Sequence, residues 1–92
     1  MGDPNCYTMP VKVDSNTAES VRREVLELVR DQTDLTLDFG QTTYISSAGL
    51  RVVLILEKKV RAAGGELELR NVKQQILEIF ELTGLAGVVR IT

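Results

Sequence analysis

Thr43-Tyr44-Ile45-Ser46-Ser47-Ala48-Gly49-Leu50-Arg51 gathers several hydroxyl groups, a glycine and a cation within nine residues. A strand ends before it, a loop turns, and the two serines stand where a helix begins. A helix N-terminus presents unpaired N–H groups and the positive end of the helix dipole. A hydroxyl, or a phosphate carried on one, is well accommodated there. Nucleophilic catalysis fits less well, because the chain has no histidine to activate a serine. The same lack excludes a catalytic triad and a histidine-based zinc site. No paired carboxylates and no glycine-rich phosphate loop appear. The expectation is a non-enzymatic protein that needs no cofactor and no metal.

Helical periodicity orients these groups. At about 100° per residue, Gly49, Val53, Leu56, Val60 and Ala63 share one face, the expected core face. Ser47, Arg51, Leu54, Ile55 and Lys58 fall on the opposite side. Ser47 is therefore expected to point outward, with Arg51 one turn on and Leu54 and Ile55 nearby. A serine bordered by two apolar side chains reads as a contact surface. Ser46 is a good N-cap candidate for this helix. Thr42 and Thr43 add hydroxyls in the preceding loop, as loops commonly do.

The positioning elements follow from pattern. Pro10 to Val13 reads as a short strand, with Pro10 suited to a strand start or edge. Asp14-Ser15-Asn16-Thr17 is a cluster of capping residues. Ala18, Val21, Val25, Leu28 and Val29 then follow at helical spacing. Residues 35–39 alternate as a strand, Gly40 ends it, and Gln41 to Ile45 form a loop. The second helix runs from about Ser47 to Ala63 and stops at Gly64-Gly65. Leu67 and Leu69 alternate with charged residues in a further strand. Ile76, Ile79 and Phe80 mark a third helix ending near Gly84, and Val88 to Ile91 forms a last strand.

The order β-α-β-α-β-α-β predicts an α/β fold with an open, mainly parallel sheet. The strands at Leu35 and Leu67 each keep one polar face, so helices are expected on one side of the sheet only. Ninety-two residues make one domain, 1–92, with 1–9 either poorly ordered or a short N-terminal strand. The net charge of −2 gives no sign of a nucleic-acid or anionic-membrane partner. The longest apolar run, Val52 to Leu56, falls far short of the roughly 20 residues that span a bilayer. The opening residues lack the positively charged, apolar pattern of a signal sequence, so none is expected, and the single Cys6 cannot form an internal disulfide. A cytoplasmic location is expected.

With these residues in view, the sequence is similar to anti-sigma factor antagonists and other STAS domains. Their motif places Asp or Ser, then a phosphorylated Ser, then Ser, Thr or Ala, then Gly-Leu, at the start of a helix. Ser46 matches the first position and Ser47 the phosphorylated serine, followed in step by Ala48, Gly49 and Leu50. Asp38 matches a frequent family Asp or Asn, and Asp14 a family Asp at the binding face. Either aspartate also reads as an ordinary cap. Departures are Ser46 in place of Asp, Val11 in place of a usual Gly, a shortened N-terminal strand region, and no C-terminal helix before Thr92.

The resemblance implies a STAS fold and a switch. The dephosphorylated protein would bind an anti-sigma factor that is itself a serine kinase with a GHKL-type ATP site. Phosphorylation of Ser47 would end binding, and a serine phosphatase would reset the cycle. The expected partner face comprises Asp14, Asp38, Thr43, Ser46, Arg51, Leu54 and Ile55. The alternative within the same fold is a constitutive docking subunit of a transporter complex, either a lipid-transport ATPase or an anion transporter.

Overall fold

The computed structural model describes residues 5–92. The strand β1 spans Cys6–Thr8, β2 Lys12–Val13, β3 Leu35–Asp38, β4 Tyr44–Ile45, β5 Leu67–Arg70 and β6 Arg90–Ile91. The helices are α1 (Ala18–Leu26), α2 (Ser47–Ala62) and α3 (Gln74–Leu82), and a 3-10 turn covers Leu85–Gly87. A four-stranded parallel sheet runs in the order β1-β3-β5-β6, and β2 and β4 form a separate parallel pair.

Two features of the strands concern the site. The first strand of the main sheet is Cys6–Thr8, inside residues 1–9, the segment expected to be either poorly ordered or a short N-terminal strand. Met1 to Pro4, the rest of that segment's start, lie outside the described residues. The expected strand at Pro10 to Val13 is reduced to Lys12–Val13 and pairs with Tyr44–Ile45, which was expected to be loop. Side chains explain the split. The Met9 N–H still donates to the Asp38 carbonyl at 2.9 Å. The next rung would join the Gly40 N–H to the Met9 carbonyl, but Asp38 Oδ1 takes the first and Gln41 Nε2 the second, so the chain leaves the main sheet and pairs again at Lys12.

Register sorts the sheet into two faces. Tyr7, Leu37, Leu69 and Ile91 form one row across the four strands, and Cys6, Thr36, Glu68 and Arg90 the next. The first row faces the helices. Leu35, Leu37, Leu67 and Leu69 form one core with Val21 and Val25 of α1, Val53, Leu56 and Val60 of α2, and Ile76 and Phe80 of α3. Phe39, past the end of β3, meets Phe80 edge to face with ring centroids 5.9 Å apart. Each such fully buried side chain stabilises the fold by roughly 1.5–3 kcal/mol relative to exposure. The other face carries an ion-pair ladder: Glu68 bonds Arg70 at 2.8 Å and approaches Arg90 at 3.8 Å, and Arg90 bonds Glu66 at 3.1 Å. Helices thus lie on one side of the sheet, as the alternating strands predict.

Other boundaries shift for local reasons. Helix α1 ends at Leu26, so Leu28 and Val29 pack against the core from the following turn. The last strand shortens because Leu85–Gly87 takes a 3-10 turn before it. The buried face of α2 is wider than its wheel suggests, since Val52 and Glu57 are also buried while Ala63 is half-buried. Glu57 is tolerated there because its carboxylate accepts from both Nε and Nη2 of Arg61, one turn on.

Candidate functional site

The β2–β4 pair assembles the site. Val13 and Ile45 are register partners, and both are buried, at 0% and 4% exposure. The segments leading into them are bonded together throughout. Gln41 Nε2 donates to the Met9 carbonyl, Thr42 Oγ1 to Pro10 and the Thr43 N–H to Val11, each at 2.8 Å. The Ser46 N–H donates to the Val13 carbonyl at 2.9 Å. The residues one step past the pair, Asp14 and Ser46, therefore stand side by side although 32 positions apart in the chain.

Each then opens a helix. Ser46 is extended (φ −96°, ψ 177°) and caps α2, its Oγ accepting from the Gly49 N–H at 3.3 Å. Asp14 builds the turn before α1: its Oδ1 accepts from the Asn16 N–H at 2.9 Å, and its carbonyl from Ala18 at 2.8 Å. Thr17 locks that turn to β2 by donating to the Lys12 carbonyl at 2.8 Å. Ser47, first residue of α2, is exposed, and its hydroxyl makes no hydrogen bond to the described residues.

Gly49 is the steric condition for this arrangement. A Cβ there would lie 2.4 Å from the Val13 carbonyl oxygen and 2.8 Å from side-chain atoms of Ile45 and Val13. Only glycine lets the first turn of α2 sit this close to the β2 backbone. The Gly of the Ser-Ser-Ala-Gly-Leu motif thus sets how near Ser47 stands to Asp14.

The other expected residues divide into two groups. Arg51 is exposed one turn along α2 from Ser47, and Leu54 and Ile55 are half-buried farther along the helix. Thr43 is exposed just before β4. Asp38 joins a second polar group at the carboxyl edge of the sheet. Its Oδ1 accepts from Asn71 Nδ2 at 3.1 Å and from the Gly40 N–H at 2.8 Å. These hydrogen bonds, the Asn71 one foremost, hold its carboxyl below the usual aspartate value. Lys73 Nζ closes the group on the Gly40 carbonyl at 2.7 Å. This oxygen of Asp38 is thus engaged in tying the β3 and β5 exits together.

Sequence reasoning passed over Val11, Lys12 and Tyr44, which the β2–β4 pair sets beside the motif. Tyr44 is 50% exposed and Val11 47%. The sequence signal was slight: Tyr44–Ile45 is an aromatic residue followed by a β-branched one, types that favour strands, within a stretch that reads as loop. Among the described residues no group of three or more His, Cys, Asp or Glu could hold a metal ion. No helix among them is long and apolar enough to cross a membrane.

Comparison with known proteins agrees with this geometry. The chain is 40% identical over 77 residues to BtrV of Bordetella bronchiseptica, which is assigned as an anti-sigma factor antagonist; the match covers 83% of this chain and 66% of that one. It is 28% identical over 81 residues to the anti-sigma-B factor antagonist of Bacillus subtilis, covering 88% of this chain and 74% of the relative. Three solved structures share the fold. One, assigned as an anti-sigma factor antagonist from Thermotoga maritima, has TM-score 0.79 and 20% identity, covering 95% of this chain and 78% of its own. A sulfate transporter family protein from Wolinella succinogenes has TM-score 0.83 and 14% identity, covering 95% and 74%. The anti-sigma factor antagonist SpoIIAA in its unphosphorylated form has TM-score 0.68 and 16% identity, covering 100% and 83%. The STAS domain model itself matches residues 2–92, the stretch that holds the β2–β4 pair, the Ser46 cap and the close-packed Gly49, and the chain belongs to the STAS domain family.

Proposed function

We propose that this chain is an anti-sigma factor antagonist. In this reading its dephosphorylated form docks on an anti-sigma factor with GHKL-type serine kinase activity and frees the sigma factor. Phosphorylation of Ser47 by that kinase ends the docking, a serine phosphatase restores it, and the chain itself catalyses nothing. The cycle runs in the cytoplasm. The observation that carries the reading is Ser47, exposed at the first turn of α2 and held next to the Asp14 turn by the β2–β4 pair. The names of the relatives support the antagonist function.

The physics of such a switch is consistent. A phosphate adds about −1.5 to −2 charges at pH 7. At a helix N-terminus the dipole tolerates it, so the domain's own fold is little disturbed. Against a partner surface the same charge must be desolvated or repelled. A loss of roughly 3–4 kcal/mol weakens binding by about 200- to 1,000-fold.

The test is a pull-down from lysate of the source cells with wild type, Ser47→Ala and Ser47→Asp as baits, read by mass spectrometry. A GHKL-type kinase held by wild type and Ser47→Ala and lost with Ser47→Asp supports the switch. A transporter subunit retained by all three baits would overturn it in favour of constitutive docking.

A further inference from the structure

The surface beside Ser47 has an apolar and charge pattern that the serine motif does not account for. Val11 and Tyr44 are large hydrophobic side chains left 47% and 50% exposed on the segments that the β2–β4 pair joins. They are held rather than loose: the Val11 carbonyl takes the Thr43 N–H at 2.8 Å, and Lys12 is the register partner of Tyr44. Because Val13 and Ile45 point into the core, Lys12 and Tyr44 point out. An aromatic side chain carried on a backbone fixed in this way needs no ordering of the main chain on binding, which suits a central interface anchor.

The charges around it are unbalanced. Arg22, Arg61, Arg70 and Arg90 are each paired with a carboxylate. Lys12 and Arg51 have no such partner among the described residues, as is also true of Arg23, Arg30, Lys58, Lys59 and Lys73, and both are exposed; their position beside the pair sets them apart. Residues 4–13 and 41–56, which hold these two cations, contain no acidic residue at all. Asp14 follows β2 directly in the chain. On a chain of net charge −2, this is a local cationic rim around an apolar anchor.

We propose that the docking face extends from α2 onto the β2–β4 pair, with Tyr44 and Val11 as its apolar anchor and Lys12 and Arg51 as its cationic rim. The surface it takes is an apolar recess of the anti-sigma factor edged by carboxylates. The inference rests on the functional reading above and deepens it. A phosphate on Ser47, one turn from Arg51, then acts twice: it draws that guanidinium away from the partner's carboxylates, and it repels those carboxylates directly.

The experiment uses the kinase recovered in the pull-down, purified, with dissociation constants measured at low and high salt. The antagonist variants are Tyr44→Ala, Tyr44→Glu, the double variant Lys12→Glu/Arg51→Glu, and Leu82→Ser. Leu82 is 88% exposed at the far end of α3, which starts at the carboxyl edge of the sheet and runs back from it, so it serves as a control. Tyr44→Ala is expected to weaken binding roughly 30-fold, and Tyr44→Glu more. The double charge reversal weakens it about tenfold at low salt and flattens the salt dependence. Leu82→Ser binds as wild type. Thermal unfolding of each variant checks that these exposed substitutions leave the fold intact. Binding of Tyr44→Ala within about twofold of wild type, or tighter binding by the charge-reversed protein, overturns the inference while leaving the Ser47 switch standing. If no form of the protein, wild type included, binds a serine kinase, the functional reading itself falls and this inference with it.

Discussion

Helix α2 is fixed to the sheet by a glycine at each end, and the two ends do different work. At the C-terminal end the chain turns through Ala63 and Gly64 (φ 88°), and Gly65 presses on β3's approach: a Cβ there would lie 2.1 Å from the Thr33 carbonyl oxygen. Gln32, itself at φ 55°, donates its N–H to the Ala63 carbonyl at 2.7 Å. At the N-terminal end Gly49 presses on β2 in the same way, with 2.4 Å to the Val13 carbonyl oxygen. The glycines alone do not distinguish a structural joint from a functional one. Both glycines are buried, and what does is the surface left outside: the C-terminal end exposes Arg61, Ala62 and Gly64, whereas the Gly49 end presents the Ser47 hydroxyl with Arg51 and Tyr44 to solvent.

The largest effect is expected from a charge at the outer surface of the N-terminal end. Ser47→Asp is expected to leave the unfolding midpoint near that of wild type and to weaken docking by about 100-fold or more, measured by titration calorimetry against the kinase. Equal docking by both proteins would mean that this end, too, is only a joint.

The next effects fall on stability. Gly65→Ala is expected to cost about 3 kcal/mol in urea unfolding, because the obstructing atoms belong to backbone and cannot rotate away. Once folded, that variant should dock like wild type. Gly49→Ala should cost about 2 kcal/mol, since the clash is offset in part by alanine's better helix propensity. It should also weaken docking, because Ser47 shifts relative to Asp14. Equal docking losses from both glycine variants would erase the proposed difference between the ends.

Ser46→Ala removes the cap that only the N-terminal end has. It should cost about 1 kcal/mol, read as a lowered unfolding midpoint. Its effect on docking should be smaller than that of Ser47→Asp, since the Ser46 hydroxyl is turned to the Gly49 N–H.

The smallest effect lies away from α2 and gives a baseline. The Tyr7 hydroxyl donates to Glu24, and burial together with that carboxylate pushes its pKa up to about 12. A pKa raised on folding contributes stability that is fully present below the unfolded value of about 10. It is lost as pH rises through the folded value. The stability advantage of wild type over Tyr7→Phe should be no more than about 1 kcal/mol after solvent screening, and should vanish between about pH 10 and 12. Denaturant melts at neutral and alkaline pH measure it, and docking should not follow it.

The family motif and the main layers were legible because they rest on local rules. Alternation marked Leu35 and Leu37, capping residues marked Ser46, and Gly64-Gly65 marked the end of α2, all within a few positions of the chain. The β2–β4 pair was not legible. Two-residue strands carry almost no periodicity, and their partners lie 32 positions apart. The role of Asp38 in tying two loops also depended on Asn71, 33 positions away.

By itself the sequence determined that helices cover one face of a parallel sheet and that an exposed serine begins the second helix, because side-chain period and capping chemistry act over a turn or a pleat. Only the tertiary structure decided that the Asp38 and Gln41 side chains end the main-sheet ladder after Met9, that Gly49 seats α2 on the Val13 carbonyl, and that Tyr44 and Lys12 emerge as a pair just before Ser47. Those outcomes follow from which distant backbone groups pair once the local ladder is broken, and a linear pattern of residues does not carry that pairing.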